Sequence, residues 1–278
     1  MIVAFAPDSI QVHQIQRGGL PTLTQLLSAD APRFALSLIA VGGVLWLITY
    51  LAALRTSHRE RVTTIPLAAV CLNITWELVH SIVYRPPREI DLYTNLAWLG
   101  LDLLILAQIF RYGRARQTVP QIRDYFVPVV VGVLVLSFVG HLTFHRHVTA
   151  NSIFPDESGA IPAYLINLVM SVLFVSMYYQ RTDGAGLSKT VAWGKFAGSL
   201  CYAVGNILVL NRLPTVTYEV QVRAAGATTW VAAGEVGNTT IHPGFIFFLF
   251  AGIAIFDFIY LYLLYFGPRG SRRAPVPQ

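Results

Sequence analysis

The hydrophobic positions of this chain arrive in blocks of roughly 17–25 residues, the length needed to cross about 30 Å of hydrocarbon. Seven such blocks predict helices at about 34–53, 65–84, 92–110, 125–144, 161–179, 191–210 and 243–266. Between them stand helix stops: the charged run 55–61, Pro86-Pro87, the Arg111, Arg114 and Arg116 cluster, and the polar loop 146–159. The stretch 214–240 breaks the pattern. Residues 216–222 and 228–236 have strand-like composition around Gly226, which predicts a small extramembrane β-hairpin between helices 6 and 7. Residues 1–33 read as a polar, interfacial lead-in and 267–278 as a basic, Pro-rich tail. The expected fold is an all-α polytopic membrane protein, with a seven-helix transmembrane domain over 34–266 enclosing a buried chamber.

The anomaly that motivates the chamber is Cys71–Tyr84, CLNITWELVHSIVY, inside the second apolar block. Asn73, Glu77, His80 and Tyr84 recur at i, i+4, i+7 and i+11, so a helix gathers them on one face with Trp76 beside it. An ionisable residue at membrane depth is costly and points to a functional site. The third block repeats the pattern with Asn95, Trp98 and Asp102. The seventh presents Asp257 with Tyr260 and the flanking Phe256 and Phe258, and the sixth adds Tyr202 and Asn206. Glu77, Asp102 and Asp257 fall near the middles of their helices, at roughly one depth.

Composition supports this reading. Of 278 residues, 55% are hydrophobic and only 12% charged, about half the charge of a typical soluble domain. The net charge of +6 sits between the apolar blocks, which argues for a lipid bilayer as partner and against nucleic acid. Cys71 and Cys201 lie in apolar segments and form neither a disulfide framework nor a metal cluster. No basic-then-apolar leader pattern precedes residue 31, so the first helix is expected to act as its own insertion signal. Thirteen Lys and Arg, with Lys195 counted among them, fall on the side of loops 1–2, 3–4 and 5–6 and the C-terminal tail, against seven on the other. The positive-inside rule then predicts an extracytoplasmic N-terminus and a cytoplasmic C-terminus.

A carboxylic acid in a dry chamber can serve as a general acid, and the 16 Phe, 13 Tyr and 5 Trp supply ring faces that stabilise a cation without trapping it. Acid plus aromatic walls is what a carbocation reaction requires. Plainer roles compete: Tyr84, Tyr93 and Tyr265 as interface belts, Asn73, Asn95 and Asn206 as interhelix bridges, His141 and His145 as structural groups. A retinal protein is excluded by the absence of Lys from the last apolar block. The aspartate-rich Mg²⁺–diphosphate motif of ionisation-type terpene synthases is also missing. A seven-helix proton-coupled carrier or sensor using the buried acids is the alternative.

The stretch Asn73-Ile74-Thr75-Trp76-Glu77 resembles the integral-membrane terpene cyclases of fungal meroterpenoid and indole-diterpene pathways, with bacterial relatives acting on indole-linked sesquiterpenes. That family carries Asn-x-x-Trp-Glu in its second helix, a tryptophan and an acid in the third, matched by Trp98 and Asp102, and an aspartate in the last, matched by Asp257. The resemblance implies protonation of the terminal epoxide or alkene of a prenylated substrate, followed by carbocationic ring closure with no metal and no cofactor. The expected partner is a hydrophobic, farnesylated and indole-linked small molecule, made by an upstream prenyltransferase and epoxidase. It assigns Glu77 and Asp257 to initiation, as proton donor and orienting partner in either order, and Asp102 to the network around them. Asn73, Trp76, His80, Trp98, Tyr202, Asn206, Phe256 and Tyr260 become substrate-binding candidates. The long lead-in and the 214–240 insertion depart from the family pattern and bear on substrate size.

Overall fold

The computed structural model describes residues 9–13, 33–86, 89–117, 119–149, 159–210, 216–224, 227–236 and 243–267. The expected lead-in apart from 9–13, and the basic tail beyond residue 267, lie outside the described residues. Seven long helices are present among them: α1 Arg33–Glu60, α2 Leu67–Leu78, α3 Glu89–Gln108, α4 Phe126–Phe144, α5 Ala160–Gln180, α6 Lys189–Leu210 and α7 Pro243–Phe266. Three of them run on into π turns, α2 through Val79–Val83, α3 through Ile109–Gly113 and α4 through His145–Thr149. The charged run expected to end the first helix is itself helical, because Arg55, Arg59 and Glu60 extend into solvent from the last turns. The chain reverses only at Arg61, which takes a φ of 50°.

Among the described residues, five helices are long and apolar enough to cross a membrane, which makes this a multi-pass integral membrane protein. The sequence pattern predicts seven spans. The second apolar block starts late, after Pro66, so the helix with its π turn covers only Leu67–Val83. The sixth has its apolar content diluted by Lys189, Lys195, three glycines and Asn206.

The helices close into a ring. α1 packs on α6 and α3, α6 on α7, α7 on α5, α5 on α2, and α2 on α3. α4 stands outside this ring, against α2. The closest seam is α1 with α6, and it is set by small residues. A Cβ at Gly198 would meet the Trp46 ring at 2.8 Å, and one at Gly194 would collide with Thr49. Small residues are what let two backbones approach in lipid, where dispersion rather than the hydrophobic effect joins helices.

One end of the ring is solid. Tyr50, Ala53, Ile65, Ala69, Val70, Ile105, Ile109, Phe174, Met177, Val191 and Leu261 fill it with buried side chains. The other end, toward the start of α3, α5 and α7 and the end of α2 and α6, is hollow. Large apolar residues facing outward, such as Leu51, Leu136, Phe248 and Phe258, meet lipid rather than water.

Three strands, β1 Ser9–His13, β2 Val216–Ala224 and β3 Ala227–Val236, form an antiparallel sheet in the order β1-β2-β3. Ser9 pairs with Arg223 and His13 with Glu219, so part of the N-terminal lead-in is a strand. Its partner lies at the far end of the chain, and no local periodicity marks such a pairing. By connectivity, β2 follows α6 and β3 precedes α7 at the hollow end of the bundle.

Candidate active site

The hollow end holds a cavity of about 360 Å³ lined by all six ring helices. Its inner end is built from Trp46 and Tyr50 of α1, Asn73 of α2, Trp98 of α3, Met170 of α5 and Phe196 of α6. Trp76 and Glu77 come next, one turn up α2. Pro86, Asp91, Thr94, Ala160, Tyr164, Tyr202 and Phe250 carry the wall outward to the mouth. Tyr50 links the aromatic wall, its ring centroid 6.1 Å from Trp46 and 5.1 Å from Trp98. α4 contributes nothing to this lining.

The polar groups at the inner end form one network. Asn73 Nδ2 donates to the Tyr50 hydroxyl at 3.0 Å, and that hydroxyl donates to Asp102 Oδ2 at 3.0 Å. Asp102 is fully buried behind the wall, with its carboxyl beside that of Glu77. Glu77 Oε2 and Asp102 Oδ1 have no hydrogen-bond partner among the described residues. Two neighbouring carboxyls can hydrogen-bond to each other only when one of them is protonated. Glu77 is the member of the pair that reaches the cavity.

Replacing Tyr50 with Phe should expose the value of this arrangement. It leaves Asp102 Oδ2 and Asn73 Nδ2 without their shared partner at almost unchanged volume. A loss of about 1–3 kcal/mol is expected, read as a lowered unfolding temperature of the detergent-solubilised protein.

Asp257 is differently placed. It is 2% exposed and accepts two hydrogen bonds from Lys195 Nζ, at 2.6 and 2.9 Å. Lys195 also donates to Ser171 Oγ at 2.6 Å and lies 5.7 Å from the centre of the Trp46 ring. This ion pair sits about one turn below Ile253 and Ala254, which line the cavity. Of the two acids expected to initiate the reaction, Glu77 lies beside Asp102 and Asp257 is paired with Lys195. Lys195, at 1% exposure, is a buried counter-ion and not a loop charge, so it drops out of the topology count. A lysine six residues into an apolar helix was the available signal.

The binding candidates divide. Asn73, Trp76, Trp98 and Tyr202 line the cavity. Trp76 is further fixed by donating from Nε1 to the Gly159 carbonyl at 2.9 Å. His80 is buried behind Trp76, with ring centroids 5.1 Å apart. Asn206 donates to the Tyr202 carbonyl, its own i−4 residue, and does not line the cavity. Phe256 is not part of the lining, and Tyr260 packs against Phe174 in the solid end at 5.1 Å. Helical spacing placed Asp257 and Tyr260 together on the buried face of α7, but at a depth below the part of that helix that lines the cavity. Tyr50, Trp46 and Phe196 were missed, because the first and sixth apolar blocks, 34–53 and 191–210, carry no carboxylate to draw attention to them.

Residues 30–234 match the Pyr4-like transmembrane terpene cyclases. The chain belongs to this family. Its resemblance extends to terpene cyclases of fungi: one of Penicillium shearii, esdpB, 25% identical over 163 residues, and one of Tolypocladium album, terB, 28% identical over 166. A third, ltmB of Epichloe festucae var. lolii, is 29% identical over 164 residues. Each match covers 59% of this chain and respectively 65%, 67% and 70% of the relative, so the chain spans about two thirds of the curated cyclases it matches. No solved structure matches it. The cyclase region as matched includes α1 to α6 with the Glu77, Asp102 and Tyr50 network, and ends before α7 and Asp257.

Proposed function

We propose that this protein cyclises a prenylated small molecule by protonating the far end of its polyene chain inside the membrane. The observation that carries the reading is the Glu77–Asp102 carboxyl pair at the inner end of a cavity walled by Trp46, Tyr50, Trp76, Trp98 and Phe196. The substrate enters tail first, and its polar acceptor stays near Asp91, Thr94 and Tyr202 at the mouth. Glu77 gives its proton to the terminal epoxide oxygen. The C–O bond breaks to an alcohol and a tertiary cation, and the next alkene closes a ring onto that carbon. With a plain terminal alkene, the proton adds to carbon instead. Ring faces stabilise each cation in turn, and loss of a proton from the last one ends the cascade. Protonation supplies the ionisation, so the reading needs neither metal nor organic cofactor.

In this reading Asp102 is a positioning residue, holding Glu77 through the shared proton and itself held by Tyr50. Asp257 acts from beneath the wall, fixed by Lys195, with Phe256 and Tyr260 as packing around it. The preferred substrate is farnesylated and indole-linked, which requires an upstream prenyl transfer and, for the epoxide, an oxidation. The topology that fits has seven spans, an extracytoplasmic N-terminus and a cytoplasmic C-terminus. The charge bias survives the removal of Lys195 from the count. The hairpin would then cap the mouth from the extracytoplasmic side.

The test is product analysis. Membranes containing the protein, fed farnesylindole or its terminal epoxide, should yield a product of unchanged mass with fewer alkene protons by NMR, and chelators should not affect the yield. Unchanged substrate with either compound, together with proton or solute movement in proteoliposomes, would favour a carrier instead.

A further inference from the structure

The cyclisation proposed above empties Glu77 of its proton at one end of the substrate and releases another at the far end of the new ring system. Several ångströms of product separate the two events, so the acid needs a proton from elsewhere before it acts again. The cavity is no conduit for it, since water there would quench the cations.

A second route lies behind the chamber wall, between α2 and α4. His80 follows Glu77 by three residues, which puts both on one side of α2. It is 2% exposed, and neither of its ring nitrogens has a hydrogen-bond partner. One of those nitrogens carries a hydrogen whatever the tautomer, so a buried donor and a buried acceptor both stand open. Glu77 Oε2 also has no hydrogen-bond partner. From α4, His145 presents its ring edge-on to His80 with centroids 5.2 Å apart, and its buried Nδ1 is likewise without a partner. His145 is half-buried and stacks on Tyr84 at 3.7 Å, next to the exposed Arg146 and His147. His141, the other titratable group facing this seam, is engaged with the Leu72 carbonyl at 3.2 Å. Among the described residues, His145 and His141 are the titratable groups beside His80.

The surroundings hold His80 in place. Trp76 covers one side of its ring, and Gly159, at φ +68°, presses so close that a Cβ there would come within 2.5 Å of the imidazole. His80 and His145 both sit in π turns, local widenings of the helix that recur at functional sites.

We propose that His145 and His80 form a proton-return path that recharges Glu77 from the aqueous phase at the mouth end of the bundle, along the α2–α4 seam. A proton taken up by His145 passes to His80. The His80 imidazolium then protonates the Glu77 carboxylate, leaving a neutral imidazole and a carboxylic acid. This gives α4, which supplies no wall to the chamber, a role in the reaction. The path rests on the cyclase reading.

The experiment separates the first turnover from later ones. Purified protein in detergent is mixed with farnesylindole epoxide, once with enzyme in excess and once with substrate in excess. In His80→Gln the first turnover, which uses the proton already on Glu77, should stay within about twofold of wild type, while the steady-state rate falls at least about tenfold, within the range of a general acid–base contribution. His145→Phe, which keeps the ring stack on Tyr84, should show the same split to a smaller degree and serves if His80→Gln fails to fold. Equal loss in both regimes would mean a structural role and overturn the path, as would an unchanged steady state in both variants. No product from wild type would instead sink the cyclase reading, and the path with it.

Discussion

Replacing Glu77 with Gln is expected to lower the rate of cyclisation by about 10²- to 10⁴-fold, the usual worth of a positioned general acid. Gln matches Glu in volume and can still bond to Asp102 through its amide, so the bundle should keep its fold and its elution behaviour in detergent. The loss should appear in the first turnover as well as in later ones, unlike that of His80→Gln. Asp102→Asn should be milder. The Tyr50 hydroxyl retains an acceptor there and Glu77 retains a neighbour, but the proton the two carboxyls share is replaced by a fixed amide hydrogen. If Glu77→Gln turns over at the wild-type rate, Glu77 is not the acid and the proposed chemistry loses its centre.

The second large effect is on stability. Asp257→Asn removes the counter-charge from Lys195, which is 1% exposed and has Asp257 and Ser171 as its hydrogen-bond acceptors. Breaking one side of a buried ion pair costs about 3–5 kcal/mol, because the remaining charge stays buried and unpaired. Thermal unfolding in detergent should therefore fall sharply for Asp257→Asn and for Lys195→Met. The double variant Lys195→Met with Asp257→Leu removes both charges together and should recover most of the loss. Its activity then separates two roles. Recovery of stability with cyclisation still absent assigns Asp257 or Lys195 a part in the reaction. Recovery of both leaves the ion pair as a device of folding alone.

This pair of variants matters because the match to known cyclases ends at residue 234, short of α7. Glu77 and Asp102 carry their weight from both the family match and the geometry. Asp257 rests on the geometry of the ion pair and on its depth in the last helix.

Much of the site was legible along the chain. Asn73, Trp76 and Glu77 share a helical face, and Trp98 with Asp102 share another, because a polar group kept in an apolar helix has to face protein rather than lipid. The close α1–α6 seam has its cause in the sixth apolar block, where Gly194 and Gly198 leave room for Thr49 and Trp46. The membrane class followed from block length and charge.

Contact between distant residues was not legible. That Glu77 meets Asp102 while Asp257 meets Lys195 depends on the ring order of the helices, which periodicity within one helix does not encode. Tyr50 became the link between Asn73 and Asp102 only once α1 lay against α2 and α3. Asp257 and Tyr260 do share the buried face of α7, but the cavity is lined higher up, by Phe250, Ile253 and Ala254, because the depth at which the chamber ends is set by the packing of the other helices. Ser9–His13 was invisible as a strand for the related reason that its hydrogen bonds go to residues from the other end of the chain. The sequence by itself determined which helices carry acids and at what depth. Only the tertiary structure decided which acid has another carboxyl beside it, which has a counter-ion, and which reaches the cavity, because those are properties of helix neighbours and not of helices.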